Sequence, residues 1–301
     1  MVIFPDFKDL ELNDRPWVEE ITGNFKPYSD FNFTSLWTWN TNNELKLSRL
    51  HNNLVITLPD YISGQPRLSL LGNNKIDGSF SELLEYASSN KIEPKLKLVP
   101  EVSINALEDP SRFLLTEDKD NHDYVLSVEE IASLSGNKYY DKRNLVNRFN
   151  KAHPDHTALE IDLKNRVVHE QIKQLFDFWA THSKQSQTES ANEKIAINRL
   201  LDSSEELKVK GLGVYVDNQL VAFSTYETSH VGFGFISFEK ADRKFPGLYA
   251  YLNQQTALRL KDLGCRYINF EQDLGLPGLK QAKQLWRPIE YLKKYSVELK
   301  K

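Results

Sequence analysis

One order of secondary-structure signals runs through this chain twice, and that repetition constrains the fold more tightly than any single motif. In the N-terminal half, helical signals cover residues 7–20 and 30–39, the second behind a Tyr28-Ser29-Asp30 cap. A hairpin follows, with strands at 45–50 and 54–58 turned around Asn52-Asn53, whose side chains tolerate positive φ. A strand at 67–71, a helix at 80–88, a strand at 95–99, a short helix near Ile104 and a strand at 123–126 complete the set. The C-terminal half begins with helices at 168–181 and 191–201 and a hairpin turned at Asp217-Asn218. It continues with a strand at 231–238, a helix at 248–263, a strand at 265–270, a helix at 279–286 and a last strand at 291–297. Both halves read α-α-β-β-β-α-β-α-β, an order hard to obtain twice by accident. The chain is therefore expected to form two similar α/β domains, at 1–126 and 152–301, joined by a linker helix at 127–151.

Composition agrees with that division. At 301 residues, 40% apolar and 11% aromatic, the chain has material for two packed cores. Lys and Arg number 38 against 42 Asp and Glu, so no global charge draws it to nucleic acid or an anionic membrane. Any such partner must be held by a local patch. The single Cys265 forbids an internal disulfide and a cysteine-based zinc site. No window reaches the roughly 18 uninterrupted apolar residues of a membrane span, and a cytoplasmic protein is expected. His153 and His156, three apart around Pro154, read as a surface loop and not a metal site.

The most informative stretch runs from Ile268 to Lys283. A strand ends in the carboxylates Glu271 and Asp273, a turn follows at Gly275, Pro277 and Gly278, and then comes a helix carrying Lys280, Lys283 and Arg287. Acids at the tip of a strand, followed by a helix with a basic line, commonly build a cleft in an α/β sheet. The linker segment adds a second basic face, Lys138, Lys142, Arg143 and Arg148.

A helix pair, an antiparallel meander and a helix crossing to a parallel strand resemble the acyl-CoA N-acyltransferase (GNAT) fold, here in tandem, each domain a mixed central sheet with helices on both faces. In that fold the strand after the meander and its parallel neighbour splay apart and leave backbone groups free for a ligand. Here those strands would be 231–239 and 265–271, each ending in a glutamate, so Glu239 and Glu271 are expected to share one cleft. A carboxylate there could deprotonate an attacking amine or hold a substrate ammonium. The stretch matching the glycine-rich pyrophosphate loop is 241–249, with a single glycine, Gly247, and with Pro246, which has no N–H to offer. Coenzyme A is accordingly disfavoured, and no cofactor is expected.

Finer likeness lies in TyrSerAspPheAsnPhe at 28–33 with the Trp37/Trp39 pair, AspTyrValLeuSer at 123–127, TyrTyrAspLysArgAsn at 139–144, PheGluLysAla at 238–241, and AsnPheGluGlnAspLeuGly at 269–275 through AlaLys. In these the chain resembles a widespread bacterial family related to the C-terminal catalytic domain of phosphatidylglycerol lysyltransferases, and more distantly to the Fem-type aminoacyl-tRNA-dependent ligases. The likeness spans about residues 4 to 290. It implies transfer of an aminoacyl group from charged tRNA to an amine or hydroxyl acceptor, without coenzyme A. Glu239, Glu271 and Asp273 would hold or deprotonate the amine. Lys142, Arg143, Asn144, Lys240, Asn269, Lys280 and Lys283 would hold substrate. Lys283, Trp286 and Pro288 stand as the lysine, aromatic and proline near the last helix do in the lysyltransferase domain. Those enzymes carry a large membrane-embedded segment that this sequence lacks, which counts against a lipid acceptor. Two alternatives remain open at this level: an acyl-CoA-dependent N-acyltransferase, and a non-catalytic ligand-binding module.

Overall fold

The computed structural model describes residues 2–59, 64–183, 185–229 and 231–300. Strands are β1 Lys8–Asp9, β2 Lys46–Leu50, β3 Asn53–Pro59, β4 Pro66–Leu71, β5 Leu96–Pro100, β6 Phe113–Glu117, β7 Asp123–Ser127, β8 Thr157–Ile161, β9 Lys210–Val216, β10 Gln219–Thr228, β11 Phe233–Ala241, β12 Tyr267–Asn269, β13 Glu290–Leu292 and β14 Lys294–Leu299. Helices are α1 Arg15–Thr22, α2 Phe33–Thr38, α3 Ile76–Ser89, α4 Glu101–Ile104, α5 Val128–Ser133, α6 Tyr140–Ala152, α7 Arg166–Thr181, α8 Gln187–Asp202, α9 Leu248–Asp262 and α10 Pro277–Gln284. The chain divides into two compact units, one of residues 1–124, 271–282 and 290–301, the other of 125–270 and 283–289. Each holds a mixed sheet flanked by helices, GNAT-like in its strand order.

In the first unit the sheet runs β1-β2-β3-β4-β5-β14-β6. The strands from β1 to β4 form an antiparallel meander, β5 joins parallel to β4, and β14 lies antiparallel between β5 and β6. The β2–β3 turn falls on His51-Asn52 (φ 49° and 67°), one residue earlier than the Asn-Asn pair suggests, because Leu50 pairs with Asn53. Helix α3 explains the core: Ile76, Phe80, Leu83, Leu84 and Ala87 fall on one helical face and are all buried. They meet Val55, Leu68, Leu70, Leu96, Val99 and Val297 from the sheet. Each large apolar side chain so buried contributes about 1.5–3 kcal/mol.

In the second unit the strands lie β7-β12-β11-β10-β9-β8. Strands β8 to β11 are an antiparallel meander, β12 is parallel to β11 and β7 antiparallel to β12. The hairpin turns at Asp217-Asn218 (φ 49° and 61°), as the sequence suggests. The β11–β12 ladder holds only Phe233–Tyr267, Gly234–Ile268 and Phe235–Asn269. Beyond Phe235, β11 runs on to Ala241 without β12, which is the splay expected of this fold.

Two features depart from the sequence reading. Residues 127–150 are not one linker helix but α5 and α6 of the second unit, broken where Leu134 and Gly136 take positive φ (48° and 80°). The C-terminal boundary also differs, since β14 belongs to the first unit, where it fills the place between β5 and β6. Each sheet thus takes one strand from the other half of the sequence: β14 in the first, β7 in the second. Two short edge strands, β6 and β8, carry no clear alternation and were not expected. Gly247, at the N-terminus of α9 with φ 91°, is glycine for a packing reason: a Cβ there would lie 2.0 Å from the Leu145 carbonyl oxygen of α6.

Candidate functional site

Glu239 lies on the stretch of β11 that has left β12, not at the strand's end as expected, since the strand continues for Lys240 and Ala241. Its backbone pairs with Ser224 on the other side. The side chain faces α9, where Asn253 donates from Nδ2 to Oε1 and also to the Tyr249 carbonyl oxygen at 3.0 Å. The other oxygen, Oε2, is shut from solvent and accepts no hydrogen bond among the described residues. Burial disfavours the charged form, and the Asn253 bond and three lysines oppose it only in part, so the carboxyl pKa is pushed up to about 7.

The three lysines whose charge reaches Glu239 are Lys240, Lys283 and Lys142. Lys142, on α6, sits with its ammonium 4.1 Å from the centre of the Trp286 ring, and burial lowers its pKa against the pull of Glu239 and Asp141. Trp286 is itself buried, and Tyr139 donates from its hydroxyl to the Trp286 carbonyl oxygen at 3.2 Å. Lys283, buried although on a largely exposed helix, donates to the Phe270 carbonyl oxygen and lies over the Phe270 ring at 4.7 Å. Lys240 follows Glu239 and therefore faces the opposite side of the strand. There it pairs with Glu193 at 2.6 Å and covers Trp179 at 3.9 Å, so its charge is largely answered.

The remaining sequence candidates divide. Arg143 bonds through Nη1 to the carbonyl oxygens of Leu134 and Gly136, closing the break between α5 and α6. Asn144 is exposed on α6, and Asn269 is buried at the end of β12. Glu271, Asp273 and Lys280 belong to the first unit. Asp273 is buried and accepts from the Tyr124 hydroxyl and, at 2.9 Å, from the Gly275 N–H, which fixes the turn before α10. Glu271 takes a left-handed backbone (φ 56°) and its carbonyl oxygen accepts from the Tyr124 N–H. Lys280 reaches Asp120 at 3.4 Å.

The first unit holds a second polar cluster, centred on Lys294, a fully buried cation. Its ammonium pairs with Asp30 and with Asp123 at 2.6 Å, and donates to Gln272 at 3.2 Å and Ser29 at 3.3 Å. Ser29 donates to Asp123 through both its N–H (2.7 Å) and its hydroxyl (2.6 Å). Burial alone would pull the Lys294 pKa down, but Asp123 and Asp30 outweigh it and hold it above the ordinary value. Burial, aided by Asp123, raises that of Asp30. Three of the motifs that carry the family likeness, at 28–33, 123–127 and 269–275, meet here, and those at 139–144 and 238–241 meet around Glu239. Sequence reasoning did not single out Asn253 or Lys294. Asn253 lies one turn beyond Tyr249 on a helix that is apolar on several sides, and Lys294 is one of two adjacent lysines in a terminal strand, so neither carries a local signal.

Among the described residues no group of His, Cys, Asp and Glu is arranged to hold a metal ion, and no helix is long and apolar enough to cross a membrane.

Comparison with known proteins agrees with this fold. A conserved protein of unknown function from Bacteroides thetaiotaomicron superposes with a TM-score of 0.86 at 28% identity, covering 100% of both chains. The structure of L-PGS from Bacillus licheniformis matches at 0.65 and 16% identity, over 99% of this chain and 93% of that one. FemX matches at 0.61 and 6% identity, over 98% and 97%. The last two show a shared fold alone. A search of curated proteins finds no match. Residues 23–298 match the family described as phosphatidylglycerol lysyltransferase, C-terminal, and the chain belongs to that family.

Proposed function

We propose that this protein is an aminoacyl transferase, moving an aminoacyl group from charged tRNA to an amine or hydroxyl acceptor, with Glu239 as the proton-transfer group. The observation that carries the reading is the Oε2 atom of Glu239, buried and without a hydrogen-bond partner among the described residues on the splayed stretch of β11, with Lys142 and Lys283 close enough to act on its charge. A carboxyl group with a pKa near 7 changes charge at working pH, as a general base must. In the step proposed, the acceptor lone pair attacks the ester carbonyl carbon of the charged tRNA. A new C–N or C–O bond forms, and the ester bond to the terminal ribose oxygen breaks. Glu239 takes the proton that the acceptor loses and returns it to the departing ribose oxygen. Lys142 and Lys283 supply fixed positive charge for the oxyanion that develops between the two events.

Family membership supports the transferase class and makes lysyl the first aminoacyl group to try. Against acyl-CoA stands the loop before α9. Its only glycine is explained by the Leu145 carbonyl oxygen, and Pro246 has no N–H to give a phosphate. The direct test incubates the protein with labelled charged tRNA pools and cell extract. Label should appear in a new product, and Glu239→Gln should abolish it. Full activity in Glu239→Gln would remove the carboxylate from the mechanism, and no product with any charged tRNA would end the reading.

A further inference from the structure

Ser224 on β10 is the direct ladder partner of Glu239 on β11, so both side chains leave the sheet on one face, their Cβ atoms about 4.5–5.5 Å apart. Ser224 is fully buried, and its Oγ, like Oε2 of Glu239, makes no hydrogen bond among the described residues. The side chains around the pair on this face offer none. Leu212, opposite Ser224 on β9, and Ala222 and Ala241, two residues along their strands, are apolar and fully buried. Thr225, next to Ser224 but on the other face, gives the contrast: its Oγ1 accepts the Phe238 N–H at 3.0 Å where the β10–β11 register shifts. A buried hydroxyl without a partner is costly, and two such polar groups on paired residues call for one account.

A carboxyl that changes charge makes two different demands. As an acid its O–H needs an acceptor, and as a carboxylate its oxygens need donors. Asn253 donates to Oε1 from Nδ2, which fixes Oε1 as an acceptor and leaves Oε2 to carry the proton. Lys142 from α6, Lys283 from α10 and the adjacent Lys240 all act on the charge, but an ammonium can only donate. Tyr249 of α9 also feels the Glu239 charge; its phenol is pushed up to about 12, chiefly by burial, and keeps its hydrogen. A serine hydroxyl answers both demands. Turned toward Oε2, its oxygen accepts from the acid and its hydrogen rotates to donate to the carboxylate.

We propose that Ser224 is a positioning residue for Glu239: its hydroxyl turns to Oε2, accepts the O–H of the acid and donates to the carboxylate, holding the proton in place between its capture and its return. The proposal rests on the reading of Glu239 as the proton-transfer group. The proton stays on Glu239 throughout, and no bond to carbon forms or breaks at Ser224. Hydrogen bonds to a charged group are the stronger ones, so the hydroxyl favours the carboxylate over the acid. Its removal should therefore make Glu239 harder to ionise.

The test follows the Glu239 carboxyl carbon by NMR in whole protein carrying ¹³C at glutamate Cδ, from pH 5 to 9, with Glu239→Gln identifying the signal. Wild type should titrate with a midpoint near 7. Ser224→Ala should move that midpoint up by about 0.5–1 in pH. Ser224→Cys, which nearly keeps the volume but bonds weakly, should move it as far and serves if Ser224→Ala folds poorly. Ser224→Thr, which restores the hydroxyl, should bring most of it back. In label transfer the rise of rate with pH should move by the same amount in Ser224→Ala, with KM little changed. A midpoint in Ser224→Ala equal to that of wild type would overturn the proposal. So would equal movement in all three variants, which would mark a packing effect. A midpoint moved as expected in a protein that transfers no label would keep Ser224 as the partner of Glu239 and remove only the transfer reaction.

Discussion

Glu239→Gln should stabilise the protein at alkaline pH while removing its proposed activity. The sign follows from burial. Folding raises the carboxyl pKa from 4.5 to about 7, so the folded state holds the proton more tightly than the unfolded chain. A group of this kind lends stability that is fully present below pH 4.5 and lost as pH rises through 7. Glutamine imitates the protonated acid at every pH, so the difference between variant and wild type isolates this one titration. At about 1.36 kcal/mol for each pH unit between those two values, the variant's advantage is about 1 kcal/mol at pH 5 and approaches ~3 kcal/mol at pH 8. The residue is partly exposed, which makes the upper figure a ceiling. In melting temperature the gap at pH 8 is roughly 6–12 °C for a unit of this size. Paired thermal and urea melts at pH 5, 6, 7 and 8 would measure it. A gap that stays flat across this range, or one in which the variant loses ground as pH rises, would refute the claim that Glu239 is held near neutral pKa by burial.

Other outcomes follow from single contacts. Lys294→Met leaves Asp30 and Asp123 buried without their cation and should cost about 3–5 kcal/mol in urea unfolding; adding Asp123→Asn should recover part of that loss, and simple additivity would argue against the ion pair. Gly247→Ala puts a Cβ 2.0 Å from the Leu145 carbonyl oxygen at φ 91°, so it should destabilise by more than about 1 kcal/mol, and a neutral result would mean that α6 and α9 can shift apart. Acetyl-CoA should show no micromolar binding by calorimetry at physiological salt, because the loop before α9 has few N–H groups to offer a pyrophosphate.

How much of this was legible in the sequence depended on whether a signal was local. The meander strands, both hairpins and α7 to α9 show clear periodicity or paired turn residues, and the structure places them within a few residues of expectation. The α5–α6 break escaped because Leu134, a poor candidate for positive φ, takes it, and Arg143 then satisfies the freed carbonyls of Leu134 and Gly136 from nine and seven residues away. The place of β14 could not be read at all. Strand pairing is set by which sheet leaves a gap, and no residue within 294–299 records that the gap lies between β5 and β6. Glu239 was legible as a residue through its motif, but its perturbed state was not, because Asn253, Lys142 and Lys283 come from three other parts of the chain.

The position of Lys294 suggests why the polar cluster of the first unit is built from so many of the family's motifs. Lys294 is the first residue of β14 and Asp123 the first of β7, and these are the two strands that each sheet takes from the other half of the sequence. Their ion pair fixes the point where both begin. A slip of one residue in either strand would turn its side chains to the wrong face of its sheet, and it would also pull a buried charge from its partner. An apolar contact at the same place would tolerate such a slip far better, because burial is non-directional whereas the cluster requires Lys294, Asp30, Asp123, Ser29 and Gln272 to meet at hydrogen-bond distance. In this view the cluster around Lys294 sets register and the one around Glu239 does chemistry. The two kinds of perturbation should then separate: loss at Lys294 appears first as instability, loss at Glu239 as an inactive protein that is more stable than the wild type at pH 8.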